Sequence, residues 1–118
     1  MQIKKDFEEF LQKLKKASKN KIIVVEGIKD KKALESLGIE NIITLKKPLY
    51  KVIEDIVETK KECIILTDLD KKGKELYGRL NSKLKQFGVK IDNRFREFLF
   101  KTKLRQIEGI SRYLETIQ

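Results

Sequence analysis

Val24-Val25-Glu26-Gly27-Ile28-Lys29-Asp30 and Thr67-Asp68-Leu69-Asp70-Lys71-Lys72-Gly73 decide how this chain is read. The first follows the apolar run Ile22-Ile23-Val24-Val25, and the second follows Cys63-Ile64-Ile65-Leu66. Short β-branched runs without polar alternation predict strands covered on both faces. In an open α/β sheet, sites form in the crevice beyond the carboxyl ends of parallel strands. Carboxylates delivered there by two strands converge on one spot. Several anionic oxygen donors inside a basic protein point to a divalent-metal site that handles phosphates.

The remaining pattern works outward from these two stretches. Phe7, Phe10, Leu11 and Leu14 recur at helical spacing and predict a helix over 6–17. Gly27 allows a sharp exit from the first strand, and Asp30 N-caps a helix over 31–37 that stops at Gly38. A second strand is expected over 41–45, then a helix opened by Pro48 with Leu49, Val52, Ile53, Ile56 and Val57 on one stripe. The third strand is expected over 62–67 and a long helix over 71–87, closed by Gly88. Val89-Lys90-Ile91 reads as a fourth strand. Phe95, Phe98 and Leu99 mark a short helix, and Ile107, Ile110, Tyr113, Leu114 and Ile117 a terminal one. This order implies a mainly parallel four-stranded α/β sheet with right-handed crossovers and helices on both faces.

Composition narrows the chemistry. The 118 residues suit one globular core, with 40% hydrophobic and 39% charged residues. We divide them into an N-terminal amphipathic helix at 1–20, a core at 21–91 and a C-terminal helical extension at 92–118. Lysine and arginine number 28 against 18 acids, a formal charge of +10, which attracts polyanions. Nucleic acid, RNA or DNA, is therefore the expected partner. A lysine-rich solvated surface is the plainer account of the same numbers. No apolar run approaches a membrane span, and the stretch from Met1 lacks signal-peptide features, so no membrane partner and a cytoplasmic location are expected.

There is no histidine, which removes imidazole acid/base chemistry and His-dependent zinc sites. The single cysteine, Cys63, permits no intramolecular disulfide and sits in a strand pattern, as a small core residue would. Catalysis must rest on carboxylates, lysines, hydroxyls and metal-bound water.

Taken together, Glu26-Gly27-Ile28-Lys29-Asp30-Lys31-Lys32-Ala33-Leu34 and Asp68-Leu69-Asp70-Lys71-Lys72-Gly73 resemble the Toprim domain. That domain is shared by topoisomerases, bacterial primases, recombination-repair proteins, overcoming-lysogenization-defect nucleases and the ribonuclease that matures 5S ribosomal RNA. The resemblance covers about 21–91 and extends in length to the small stand-alone Toprim proteins of archaea and some bacteria. It implies a compact Rossmann-like fold and magnesium as cofactor, with manganese as a substitute. By the same resemblance, Asp68 and Asp70 match the metal-binding aspartates. Glu26 matches the glutamate that acts as general acid/base or helps hold metal. Gly27 and Gly73 match the turn glycines, and Asp30 matches an acidic position of the primase-like and ribonuclease branches.

The residues carry their own reasoning alongside. Asp68 and Asp70, two apart at a strand end, can point the same way and share an ion. Asp70 also reads as the N-cap of the next helix, and Asp30 as a plain helix cap. Gly73, in a first helical turn, costs roughly 0.5–1 kcal/mol relative to alanine, which close approach of a phosphate or another backbone would explain. Lys29, Lys46, Lys71 and Lys72 flank the acids and would seat a phosphodiester, or else are solvated helix faces. Arg94, Arg96, Arg105 and Arg112 extend a nucleic-acid track or pair with Glu97, Glu108 and Glu115. Tyr77 and Tyr113 fit helix stripes, and no Walker loop is present. The leading expectation is a magnesium-dependent nuclease acting on structured RNA or DNA, ribosomal-RNA processing being its sharpest form. The alternatives are a non-catalytic nucleic-acid or ribonucleoprotein binding module and a metal- and phosphate-binding receiver-like domain.

Overall fold

A computed structural model of the chain describes residues 3–117. Met1, Gln2 and Gln118, at the ends of the expected terminal segments, lie outside them. Three parallel strands, β1 (Ile22–Val25), β2 (Ile42–Thr44) and β3 (Cys63–Ile65), form a sheet in the order β2-β1-β3. Ile23 pairs with Ile42 on one side of β1 and with Ile64 on the other. Every residue of β1 is buried, as an unalternating apolar run in a central strand requires.

Alternate side chains of the strands feed two separate cores. Ile23, Val25, Ile64 and Leu66 face α1 (Ile3–Ala17), α2 (Ile28–Glu35), α5 (Arg94–Phe100) and α6 (Ile110–Thr116). Ile22, Val24, Cys63 and Ile65 face α3 (Leu49–Thr59) and α4 (Lys71–Gln86). The result is a three-layer α/β/α arrangement of the Rossmann-like class. Aromatic rings weld the two chain ends on the first layer: Phe10 stacks on Phe98 at 4.6 Å between centroids, and Tyr113 meets Phe7 edge-on at 5.1 Å. Cys63 is fully buried, and burial pushes its thiol up to about 12, so it is a core residue rather than a nucleophile.

The expected fourth strand is not formed. Ile91 makes one parallel bridge to Cys63, through Cys63 N–H to the Lys90 carbonyl and Asp92 N–H to the Cys63 carbonyl, each 2.9 Å. The ladder stops there because α5 begins two residues after Asp92, whose side chain is held in a charge network. Its carboxylate accepts from Lys21 Nζ at 2.8 Å and from Arg94 Nε at 3.0 Å and Nη2 at 2.8 Å. Lys21 also reaches Glu62 at 3.0 Å, and α5 begins at Arg94, turning the chain out of the sheet.

Helix ends obey local rules with revisions at two starts: α1 begins at Ile3 rather than at residue 6, and α2 also begins early. Helix α2 starts at Ile28, earlier than the cap at Asp30 predicted. Gly27 is the N-cap, and Asp30, three residues on, turns its carboxylate back to Gly27 N–H at 3.0 Å, one half of a capping box. Gly38 and Gly88 close α2 and α4 at φ +84° and +82°, where a β-carbon is penalised.

The Asp92 network makes stability fall in acid. Arg94 and Lys21 hold the Asp92 carboxyl well below the usual carboxylate range. Its contribution is complete above the unfolded-state value near 4 and is lost as pH falls toward the lower folded value. Asp92→Asn should cost about 1–2 kcal/mol at pH 7, a modest figure because Arg94 is largely exposed. The gap in Tm between the two proteins, followed by thermal denaturation from pH 7 to pH 2, should narrow as pH drops.

Candidate functional site at the carboxyl edge of the sheet

Strands β1 and β3 lie side by side and parallel, so their carboxyl ends emerge together. Leu66 N–H to the Val24 carbonyl, 2.8 Å, carries the pairing past the last formal residue of β3. One step further the pairing switches from backbone to side chain. Asp68 N–H donates to Glu26 Oε2 at 2.8 Å, which joins the two acidic stretches across a separation of 42 residues. Glu26 is thus set on the same rim as Asp68, not on an opposite face.

Each expected carboxylate is oriented by a backbone N–H. Asp68 Oδ1 accepts from Ile107 N–H at 2.9 Å, Asp70 Oδ1 from Gly73 N–H at 2.8 Å and Asp30 Oδ2 from Gly27 N–H. Asp70 is therefore the N-cap of α4, as its sequence context predicted. Glu26, Asp30, Asp68 and Asp70 each commit one oxygen in this way. Among the described residues none of the four is in an ion pair.

The rim is electrostatically crowded. Burial pushes the Asp68 carboxyl up, helped by the charges of Asp70 and Glu108 and opposed by Ile107 N–H and Arg96. Burial also raises Asp30, with Asp68, Glu108 and Glu26 adding to it against the Gly27 N–H bond. Glu108, in a 3-10 turn at Ile107–Gly109, is a fifth acid in this neighbourhood, which the sequence patterns offered only as an arginine partner. Among the described residues no three acids are gathered as a ready-made metal cage. Magnesium does not need one, since it keeps several waters and takes one or two carboxylates. Oriented carboxylates with second oxygens uncommitted to protein partners are a fitting donor set.

Beneath the rim lies Arg96, 3% exposed. Its Nη1 donates to the Thr67 carbonyl at 2.6 Å, and its Nη2 to the carbonyls of Asp68 at 3.1 Å and Gly73 at 3.4 Å. Thr67 Oγ1 donates to the same Gly73 carbonyl at 2.7 Å. The Asp68–Gly73 loop is thereby folded tightly on itself. A β-carbon on Gly73 would lie 1.8 Å from the Asp68 carbonyl oxygen, an impossible contact with rigid backbone. The close approach expected at Gly73 is thus one of backbone. Gly27 differs: its φ of −145° is open to any residue, so the expected sharp exit does not require glycine there.

Sequence patterns missed Arg96 as a support and expected Arg94, Arg96, Arg105 and Arg112 to act alike. Instead, Arg94 grips Asp92, Arg96 is buried, and Arg105 donates to the Thr102 and Leu104 carbonyls. No pair with Glu97, Glu108 or Glu115 forms among the described residues. The available signal for Arg96 was its place one turn before Leu99 and Phe100 on a short apolar helix. Lys29, Lys46, Lys71 and Lys72 are exposed and in no ion pair among the described residues. Tyr77 donates to Asn93 Oδ1 at 2.6 Å and packs on the second core, as a structural tyrosine does.

Known proteins share this outline. The family model of the Toprim domain matches residues 20–93. A UPF0292 protein of Methanocaldococcus jannaschii is 33% identical over 112 residues, spanning 90% of this chain and 88% of that protein. A UPF0292 protein of Pyrococcus abyssi is 36% identical over 107 residues, spanning 90% and 80%. A solved structure of an Aquifex aeolicus protein superposes with a TM-score of 0.81 at 39% identity, covering 86% of this chain and 95% of that one. Among the described residues no helix is long and apolar enough to cross a membrane.

Two glycines on α4 give a matched test of the loop. Gly73→Ala should destabilise by at least about 2 kcal/mol, because the Asp68 carbonyl cannot yield. Gly78→Ala, with nothing within 4 Å, should instead stabilise by about 0.5–1 kcal/mol, both read from urea denaturation. Asp68→Asn, measured in chelator at pH 7, should raise Tm above that of the unsubstituted protein. A carboxyl raised in the folded state opposes folding while ionised, and Asn can still accept from Ile107 N–H. The advantage should shrink as pH falls and Asp68 protonates, whereas Asp68→Ala should lower Tm.

Proposed function

This chain belongs to the Toprim domain family, and on that premise we propose that it is a magnesium-dependent phosphodiester-processing protein, most simply a small nuclease. Its substrate is structured RNA or DNA, and its place of action is the cytoplasm. The observation that carries this reading is the 2.8 Å bond from Asp68 N–H to Glu26 Oε2, which sets the two acidic motifs on one rim.

Asp68 and Asp70 would hold the ion, manganese serving as a substitute, with Glu26 and Asp30 close enough to complete its surroundings. Bound there, the ion would supply charge stabilisation at the phosphoryl group and a more acidic water. The protein's own part is orientation. Backbone N–H groups fix one oxygen of each carboxylate, so the second is presented without a search among rotamers. Glu26, held by Asp68 N–H, is the group that takes or returns a proton. Lys71 and Lys72, in the first turn of α4, add to the anion preference of a helix N-terminus and seat the scissile phosphate. Lys29 and Lys46 approach the same edge from α2 and from the end of β2.

A non-catalytic binding module is the second reading, favoured by the formal charge of +10 and the exposed Lys29, Lys46, Lys71 and Lys72, which would hold a polyanion without cutting it. End-labelled structured RNA and DNA, incubated with magnesium, manganese or chelator, should be cut only with metal. Asp68→Asn and Glu26→Gln should each reduce the rate by about 100-fold or more. Salt-sensitive binding that survives both substitutions, with no cleavage, would sink the enzyme and establish the module. Acid-labile phosphate on an aspartate would point instead to a receiver.

A further inference from the structure

Behind the Asp68–Gly73 loop, α4 and α5 leave a small concavity of about 210 Å³ lined by Lys74, Tyr77, Asn93, Arg96, Glu97 and Phe100. It is mostly apolar and too small for an extended ligand, yet roomy enough for one aromatic heterocycle. It shares a wall with the carboxylate rim, because the Arg96 guanidinium that lines it also bonds to the Thr67 and Asp68 carbonyls.

Its chemistry is that of a stacking platform. Phe100 is 38% exposed, an unfavourable state for an aromatic residue that solvent alone does not reward. The Arg96 guanidinium lies 4.7 Å from the Tyr77 ring centroid and 5.2 Å from that of Phe100. Lys74 Nζ sits 5.5 Å from the Phe100 centroid and is in no ion pair among the described residues. Lys74 is three residues beyond Lys71, so both ammonium groups line one face of α4, from the Asp70 cap to the concavity. The exposed Tyr50 and Phe87 form another apolar groove between α3 and α4, but its lining carries two acids, Glu54 and Glu58, against the one cation Lys83, whereas the concavity sets Lys74 and Arg96 against Glu97.

We propose that this concavity receives one unpaired nucleobase of a nucleic-acid strand, stacked on Phe100, while Lys74 turns from the ring to the adjoining phosphate. Glu97 in its lining offers a carboxylate oxygen to an exocyclic amino group. The occupant must be single-stranded, because the faces of a base inside a duplex are covered by its neighbours. The idea rests on the nucleic-acid reading above and makes it more specific: the substrate bears an unpaired nucleotide beside the scissile phosphate.

The chain contains no tryptophan, so Phe100→Trp installs a unique fluorophore at the platform. In chelator, where no metal-dependent cutting occurs, a single-stranded oligonucleotide should quench F100W emission, and the duplex of the same sequence should not. Phe100→Ala should weaken single-strand binding by about 5- to 150-fold and leave duplex binding within twofold. Phe100→Leu keeps the packing beneath the ring but lacks the π face; it should fold with an unchanged Tm and lose the same affinity. Single-strand binding that leaves F100W emission unaltered, or equal affinity in the Leu variant, overturns the platform. Should single-strand quenching occur while metal-dependent cleavage is never found, the nuclease reading falls and the platform stands. Cleavage that depends on Asp68 but is indifferent to Phe100→Leu, with single strands as substrate, has the reverse meaning.

Discussion

A buried guanidinium is the constraint on which the acidic edge depends. Removing an arginine from water is costly unless every donor finds an acceptor and opposite charge lies near. Arg96 offsets that cost through bonds from its two terminal nitrogens to the carbonyls of Thr67, Asp68 and Gly73 and through the neighbouring charges of Glu26 and Asp68. The exchange works in both directions. The carbonyls make the buried cation tolerable, and the cation holds those carbonyls, and hence the Asp68–Gly73 loop, in one conformation. The need for glycine at position 73 has the same origin, because the loop is drawn so tight that no side chain fits where its hydrogen sits.

The rim is a small region of concentrated negative charge on a chain of formal charge +10. Ion pairs among the described residues engage Lys21, Lys47, Lys51 and Arg94, and most other cations carry their charge unpaired. A polyanion is drawn by the whole surface, yet meets local repulsion where the acids gather. On the proposed function, a cation bound at the rim would relieve the crowding of Asp30, Asp68 and Glu108.

The Toprim match ends at residue 93, but the edge it defines is completed by the C-terminal segment. Ile107 N–H orients Asp68, the Arg105 carbonyl accepts from Leu69 N–H at 2.7 Å, and Arg96 props the loop from below. That segment is in turn anchored by Phe98 on Phe10 and Tyr113 on Phe7. Packing of the terminal helices therefore bears directly on the geometry of the carboxylates. The three segments pack together, contributing to two cores shared across a single sheet.

Local rules sufficed wherever the deciding neighbours lie within a few residues. The apolar run Ile22–Val25, the stripe Val52, Ile53 and Ile56, and the cap at Asp70 each depend on near neighbours, and each is found where its pattern placed it. The paired acidic turns were legible for a related reason: parallel strands in one sheet must end on the same side, which brings Glu26 to Asp68. Only the folded chain decided that Val89-Lys90-Ile91 would yield a single bridge, because α5 turns away at Arg94 while Lys21, far off in sequence, joins Arg94 in holding Asp92. It alone turned Arg96 inward and carried Ile107 N–H to Asp68 across 39 residues, since a buried charge or an oriented carboxylate is defined by partners that no window of sequence contains.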